Sequence, residues 1–416
     1  MRPAAACVAL ALLAGASVAG VPGLAGGHLK GRWLTATYPE DSVFRAAGGA
    51  VTHDQLASLR LKFRASPGPV RVEADYQLLG QHGDGLALAR ELEDLFLLPP
   101  AVPDDDRRWW DLTAEIGSGN DSVLLHRLDR LNLSWTGDRT VLRFGRQAVS
   151  WGNGLIYNPM DFFNPFDPAA IDTEYKVGDD MLYGQYLTGA GNDWQVVSVQ
   201  RRDADGDVTS AVSSTALKYH GFGLDREYDL LLAQHFDDTV LGAGGVFNVG
   251  DAVLRGDVLL TDTDSDEVAS LVVNWSYSWT WGGYNVSGVA EYFYNGFGLR
   301  ESEYTPGDIA AAEDLVARIR RGELFTLGRH YLAGSLMVEL SPLVNLSPSL
   351  FVNLGDQSAL AQVVLQWDAA QDWQLLGALN LPLGPAGTEY GGLDTGVEGL
   401  YLGTGPGVFA QVAFYF

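Results

Sequence analysis

Beyond residue 20 this chain has no cysteine; its only one is Cys7. Disulfides, thiolate metal ligands and a thiol nucleophile are therefore excluded from the rest of the chain. Nor is there a run of about twenty consecutive apolar residues, so helical membrane spans are excluded as well. Basic residues are scarce, 27 Lys and Arg against 52 Asp and Glu, giving a formal charge of −25. Such a balance repels phosphate backbones and argues against a nucleic-acid partner. There is no G-x-S-x-G and no H-E-x-x-H, and the histidines are scattered over the chain. No catalytic residue, cofactor or metal site is named by the sequence, although a triad assembled from distant positions stays open.

What is present begins with Arg2, an apolar stretch from Ala4 to Val18, and the small residues Ala19 and Gly20. This is the pattern of a secretory signal peptide, expected over 1–20, which leaves 21–416 as one domain. That remainder is rich in glycine and aromatic residues, and the mean hydropathy of the chain is +0.01. A membrane-spanning β-barrel has this signature, because its apolar residues alternate with polar lumenal ones and no window looks hydrophobic.

The alternation is clearest near 271–281. Val273, Trp275, Tyr277, Trp279 and Trp281 take one face, and Asn274, Ser276, Ser278 and Thr280 the other. The first face suits a lipid-facing aromatic girdle, the second a watery lumen. The same reading along the chain, including strands at 127–135, 210–220 and 326–340, predicts an all-β fold. It is an antiparallel up-and-down transmembrane barrel of about sixteen to eighteen strands with short helices in the extracellular loops. Short turns such as 136–138 and 282–283 alternate with long links at 39–54, 80–126, 148–178, 295–325 and 382–407, as periplasmic turns and extracellular loops do. One helix is expected from Leu88, Leu92, Leu95 and Phe96. Another follows from Ile309, Ala312, Leu315 and Ile319, capped by Asp308 and ended by Gly322. The last strand places Val412, Phe414 and Phe416 on one face, an ending that resembles the signal read by the outer-membrane barrel assembly machinery.

The densest stretch runs from Gly145 to Tyr183. Asn158-Pro159 and Asn164-Pro165 set turns, while Phe162, Phe163 and Phe166 are too apolar for a freely solvated tip. The expectation is that 148–178 bends into the lumen and narrows the pore; an external lid is the alternative. GRQAVSWGNG here, with NPMD and NPFDP after it, resembles a family of proteobacterial outer-membrane barrels that carry GRQ-x-x-SWGNG, NPMD and NPFDP. The likeness extends through GHLKGRW, GDDMLYGQY, GELFTLGRHYLA and the aromatic C-terminus, and more distantly to export porins with a GRQ-type strand. It implies location and fold, not a substrate.

Arg130 and Arg143 fall on lumenal faces of adjacent strands and could form a local anion filter. The alternative is that they pair with Asp129, Asp257, Glu291 or Glu339 across the lumen. With Gln147 and Trp151, the residues Arg130, Arg143, Asp257, Glu291 and Glu339 are the candidate pore-lining and constriction set. Acidic links such as Asp203, Asp205 and Asp207 read as solvated turns, since the Asp262–Glu267 cluster fails the EF-hand pattern. The function expected is passive passage of small hydrophilic or amphipathic solutes. The partners are outer-membrane lipids, the assembly machinery and the solutes themselves; a homotrimer stays open, because no stripe marks a subunit contact. The alternatives are a non-conducting surface scaffold or binding protein, and the outer-membrane component of a polymer or lipid export system.

Overall fold

The computed structural model describes residues 21–92, 102–224 and 226–416. The expected signal peptide, and Leu95 and Phe96 of the first expected helix, lie outside the described residues. In chain order the first strands are β1 (Leu24–Thr37), β2 (Val51–Ala65), β3 (Val70–Gly83), β4 (Thr113–Ser118), β5 (Ser122–Thr136), β6 (Thr140–Gln147) and β7 (Asp179–Leu187). Next come β8 (Asp193–Val199), β9 (Ser214–Phe222), β10 (Arg226–His235), β11 (Asp238–Val249), β12 (Ala252–Asp262), β13 (Glu267–Trp281) and β14 (Tyr284–Tyr294). The remainder are β15 (His330–Ser341), β16 (Val344–Asn353), β17 (Ser358–Ala370), β18 (Trp373–Leu383), the short pair β19 (Leu393–Asp394) and β20 (Tyr401–Leu402), and β21 (Gly407–Tyr415).

These strands pair antiparallel with their sequence neighbours, and β21 closes the ring on β1 from His28↔Tyr415 to Ala36↔Gly407. The main sheet holds 19 strands. Without β4, which lies beside β5 from Val123 to Arg127, an eighteen-stranded closed barrel remains. β6 pairs only with Leu131 to Thr136 of β5, so β4 occupies the edge that β6 has left. Closure matters energetically, because in hydrocarbon an unpaired strand edge would leave backbone groups without partners.

Period two sets what each wall residue faces. On β10, Asp229, Leu231, Ala233 and His235 are buried, while Tyr228, Leu230, Leu232 and Gln234 are exposed. The exposed phase is apolar round the wall: Leu133, Leu182, Leu230 and Leu260 are each at least half exposed. Water would penalise that surface; a bilayer accepts it.

The structure departs from the expected elements in a few places. A register shift between Asp75 and Tyr76 leaves Asp129 of β5 as an extra residue, so the simple alternation through Arg130, Asn132 and Ser134 does not continue toward Arg127. Arg127, Asp129 and Asn132 are all buried as a result. β9 starts at Ser214 rather than 210, and β15 at His330 rather than 326, because the residues before them belong to loop packing. The helices are α1 (Val43–Gly48), α2 (Asp84–Leu92), α3 (Pro306–Ala311) and α4 (Glu313–Arg320). The single helix expected from 309–319 is thus two, broken at Ala312. Asp308 acts as the partner in a capping box whose N-cap is Thr305.

Candidate functional site: a loop circling the inner wall

After Gln147 the chain does not rejoin the sheet until Asp179, and the segment between lies against the inward phase of one strand after another. Val149, Trp151, Met160, Phe162 and Phe163 form one buried cluster with Met181, Val197, Leu231, Val240 and Leu259 of β7 to β12. Ile156, Tyr157 and Ala169 pack on Val272, Phe293, Tyr331 and Phe351 of β13 to β16. Ile171 meets Leu376, Ala378 and Phe409 of β18 and β21. Tyr175 then lies over Arg60 and Lys62 of β2, at 4.2 and 4.8 Å, and the Lys176 carbonyl accepts from Arg130 of β5. The loop therefore makes a circuit of the inside of the barrel.

Polar contacts seat it on walls of opposite charge. Toward β10, β12 and β14, the Asn153 amide donates to Asp257 at 2.6 Å and its side chain to Asp257 and Asp229 at 2.7 and 3.2 Å. The amides of Leu155, Ile156 and Tyr157 all donate to Glu291, at 2.7, 3.1 and 2.5 Å. The carboxylate oxygens thereby satisfy backbone donors of the loop that would otherwise be buried without partners. Toward β1, Lys30 pairs with Asp172 and Glu174 at 2.7 and 2.6 Å, and Arg32 also pairs with Asp172. Burial pushes the Asp172 carboxyl up, but the bond and charge of Lys30, with Arg32, prevail and hold it down to about 2. Inside the loop, Lys176 reaches Asp161 at 2.5 Å and the Val149 carbonyl at 2.5 Å. There burial wins, and Asp161 is pushed up to about 6 despite its partner.

Two glycines are demanded by close approach. A Cβ on Gly154 would stand 1.9 Å from the Tyr157 carbonyl. On β11, a Cβ on Gly244 would stand 1.9 Å from the Asp257 carboxylate and 2.8 Å from the Asn153 amide nitrogen. The second glycine of the W-G-N-G run and its counterpart in the wall leave room for the same turn.

No family model matches this sequence, and no curated protein matches it. Solved structures do match in fold. OccAB4 of Acinetobacter baumannii shares 11% identity at a TM-score of 0.51, covering 94% of this chain and 97% of that one. OccK5 (OpdH) of Pseudomonas aeruginosa shares 8% at 0.51, with 94% and 97% covered. Wzi of Escherichia coli, an outer-membrane protein involved in group 1 capsule assembly and a carbohydrate-binding β-barrel, shares 10% at 0.52, with 94% and 84% covered. The fold is that of a Gram-negative outer-membrane barrel. At these identities the likeness extends to fold alone.

Within this outer-membrane barrel, the expected site residues separate into groups. Asp257, Glu291, Gln147 and Trp151 come together at the loop, each 3% exposed or less, so the loop covers them instead of leaving them in open water. Gln147 donates to the Met181 carbonyl at 3.3 Å, and the Trp151 indole to Gln195 at 2.8 Å. Arg130 bonds Asp129 at 2.9 Å and holds the loop's end. Arg143 lies 4.6 Å from the Tyr183 ring, with no carboxylate partner among the described residues. Glu339 stands apart near the short-turn end, accepting from Asn285 at 2.8 Å. On the outer phase, Trp275, Tyr277 and Trp281 are exposed and Trp279 stacks on Tyr277. Val412, Phe414 and Phe416 share that phase, with Phe414 against Trp373.

Sequence reasoning missed the basic wall of β1 and β2. Its signal was available in the period-two runs His28, Lys30, Arg32 and Arg60, Lys62, Arg64. It also missed a chain of bonds from Ser214 to His235 Nδ1, 2.7 Å, and from His235 Nε2 to Glu323, 2.9 Å. Its composition is that of a hydrolase triad, but its geometry is not. The ring nitrogens are reversed, Ser214 is 2% exposed, and its oxygen already accepts from Arg201 at 2.8 Å. These contacts tie the outer loop that carries Glu323 to β9 and β10.

Proposed function

We propose that this barrel is a channel for small solutes across the outer membrane, with 148–178 as its constriction and a preference for anionic solutes. The circuit that the loop makes of the inner wall carries the reading, because a segment seated on all sides narrows a lumen without depending on one anchor. An eighteen-stranded barrel is otherwise wide enough for an aqueous path. The anionic preference rests on local charge, not on the total of −25. Lys62 and Arg143 have no carboxylate partner among the described residues. The carboxylates of the opposite wall, Asp257 and Glu291, are occupied by the loop.

The test is conductance of the refolded protein in a planar bilayer under a salt gradient. Discrete openings with an anion-selective reversal potential are expected, and Lys62→Glu with Arg143→Glu should move that potential toward cations. A folded barrel that stays silent, even after removal of 148–178, overturns the channel reading. In that case a non-conducting binding barrel becomes the better account; Wzi is described as a carbohydrate-binding β-barrel. That account is favoured by outer loops that interlock: Ser42 bonds the Gly403 carbonyl, the Tyr401 amide bonds Asp41, and the Tyr304 amide bonds Gly387.

A further inference from the structure

Three outer loops meet on one carboxyl group, that of Glu389 in the loop 384–406. It accepts from the Tyr331 hydroxyl of β15 at 2.5 Å, from the Asn353 side chain at the end of β16 at 2.8 Å, and from the Leu327 amide of the 295–329 link at 3.0 Å. The Glu389 amide in turn donates to Asp356, between β16 and β17, at 2.7 Å. The other oxygen of Asp356 is taken by the amide and hydroxyl of Ser358, both at 2.8 Å. All these donors are neutral, and no ion pair reaches either carboxyl among the described residues. The other titratable groups around Glu389 are Tyr331 and Tyr304, both fully buried, its neighbour Tyr390, and Glu303, which lies exposed against Gly387. Tyrosines ordinarily titrate near about 10, so the carboxyls alone respond around neutrality. Two buried acids without a cation do not both ionise cheaply. The Tyr331 ring also belongs to the constriction. It lies 5.6 Å from Tyr157, which stacks on Phe293 at 5.0 Å, and the three form one buried cluster. Glu389 thus holds the hydroxyl of a tyrosine whose ring supports the 155–157 segment.

We propose that Glu389 is a pH-dependent latch on the constriction. Protonated, it can donate to the Tyr331 hydroxyl oxygen, so the outer loops stay drawn together and the 155–157 segment stays packed. Ionised, it is a buried charge beside Asp356, so the loops part, Tyr331 is released and the segment loosens. The effect on current rests on the channel reading above; the loosening itself does not. Burial, the largest influence, and the Asp356 charge push the Glu389 carboxyl from 4.5 up to about 7 against its three donors. A carboxyl raised in the closed loops favours closure at low pH and loses that effect as pH rises toward about 7. The opening constant should therefore grow on the order of tenfold or more between about pH 5 and about pH 8.

Amide hydrogen exchange of the full refolded barrel, with bilayer conductance beside it, tests this. At about pH 8 residues 155–157 should exchange roughly tenfold faster in the unaltered barrel than in Glu389→Gln, and at about pH 5 the two should agree. Asp356→Asn removes the neighbouring charge and should move the onset of fast exchange to lower pH, a shift that a merely structural Glu389 would not give. Conductance should grow over the same range in the unaltered barrel and stay level in Glu389→Gln. Equal exchange in the two proteins at both pH values, or an onset that Asp356→Asn leaves in place, overturns the latch. So does a current that ignores pH in a barrel that conducts. Exchange that responds as expected in a barrel that never conducts keeps the latch and removes the channel reading instead.

Discussion

Glu291 concentrates the seating of the loop in one side chain, since three consecutive amides converge on its two oxygens. Glu291→Ala should leave those donors unpaired beneath the loop, at about 1–3 kcal/mol each if they find no water. The expected result is faster hydrogen exchange at 155–157 and a noisier open-channel current; unchanged protection would show that the amides have other acceptors. Glu389, in the outer loop after β18, is a second buried acceptor of several bonds. It accepts from Tyr331 at 2.5 Å, Asn353 at 2.8 Å and the Leu327 amide at 3.0 Å. Burial nevertheless outweighs these donors and pushes its carboxyl from 4.5 up to about 7. The folded state therefore binds more protons than the unfolded one between those values. Its contribution is greatest below 4.5 and falls as pH rises toward about 7. The 384–406 loop should be cut faster by protease at about pH 8 than at about pH 5, and Glu389→Gln should remove much of that difference.

At the scale of elements, the loop and the wall were shaped for each other. Gly244→Val should displace the Asp257 carboxylate from Asn153 and free the 153–157 turn. Larger conductance with a wild-type unfolding midpoint is the expected pair of readings; unaltered conductance would mean that this turn does not limit the current. Strands were the legible elements, because period two is written into each segment locally: Thr140–Gln147 and Tyr284–Tyr294 can be read from sequence to the residue. Less legible were features set by contact. β4 exists because β6 leaves an edge of β5 open, and the break at Ala312 interrupts residues whose helical spacing runs straight through it. Helical spacing reports which side a residue takes, not whether the backbone is continuous.

For the whole molecule, stability rests on a closed ring with its apolar phase in lipid. Leu230, 52% exposed on that phase, should not tolerate charge. Leu230→Arg is expected to cost about 2–4 kcal/mol in unfolding from vesicles if it lies near mid-bilayer, and a change below about 1 kcal/mol would place it at the interface. The sequence by itself determined the all-β class, a strand number near eighteen and the alternation of turns and long links, because each follows from local period and turn chemistry; a bulge such as that at Asp129, which changes which residues of β5 are buried, does not. Only the tertiary structure decided what the inward residues do. Asn153 meets Asp257 across 104 residues and Lys30 meets Asp172 across 142. Whether a lumenal carboxylate faces water or holds a loop depends on where 148–178 comes to rest, and that is set by barrel closure rather than by any local pattern.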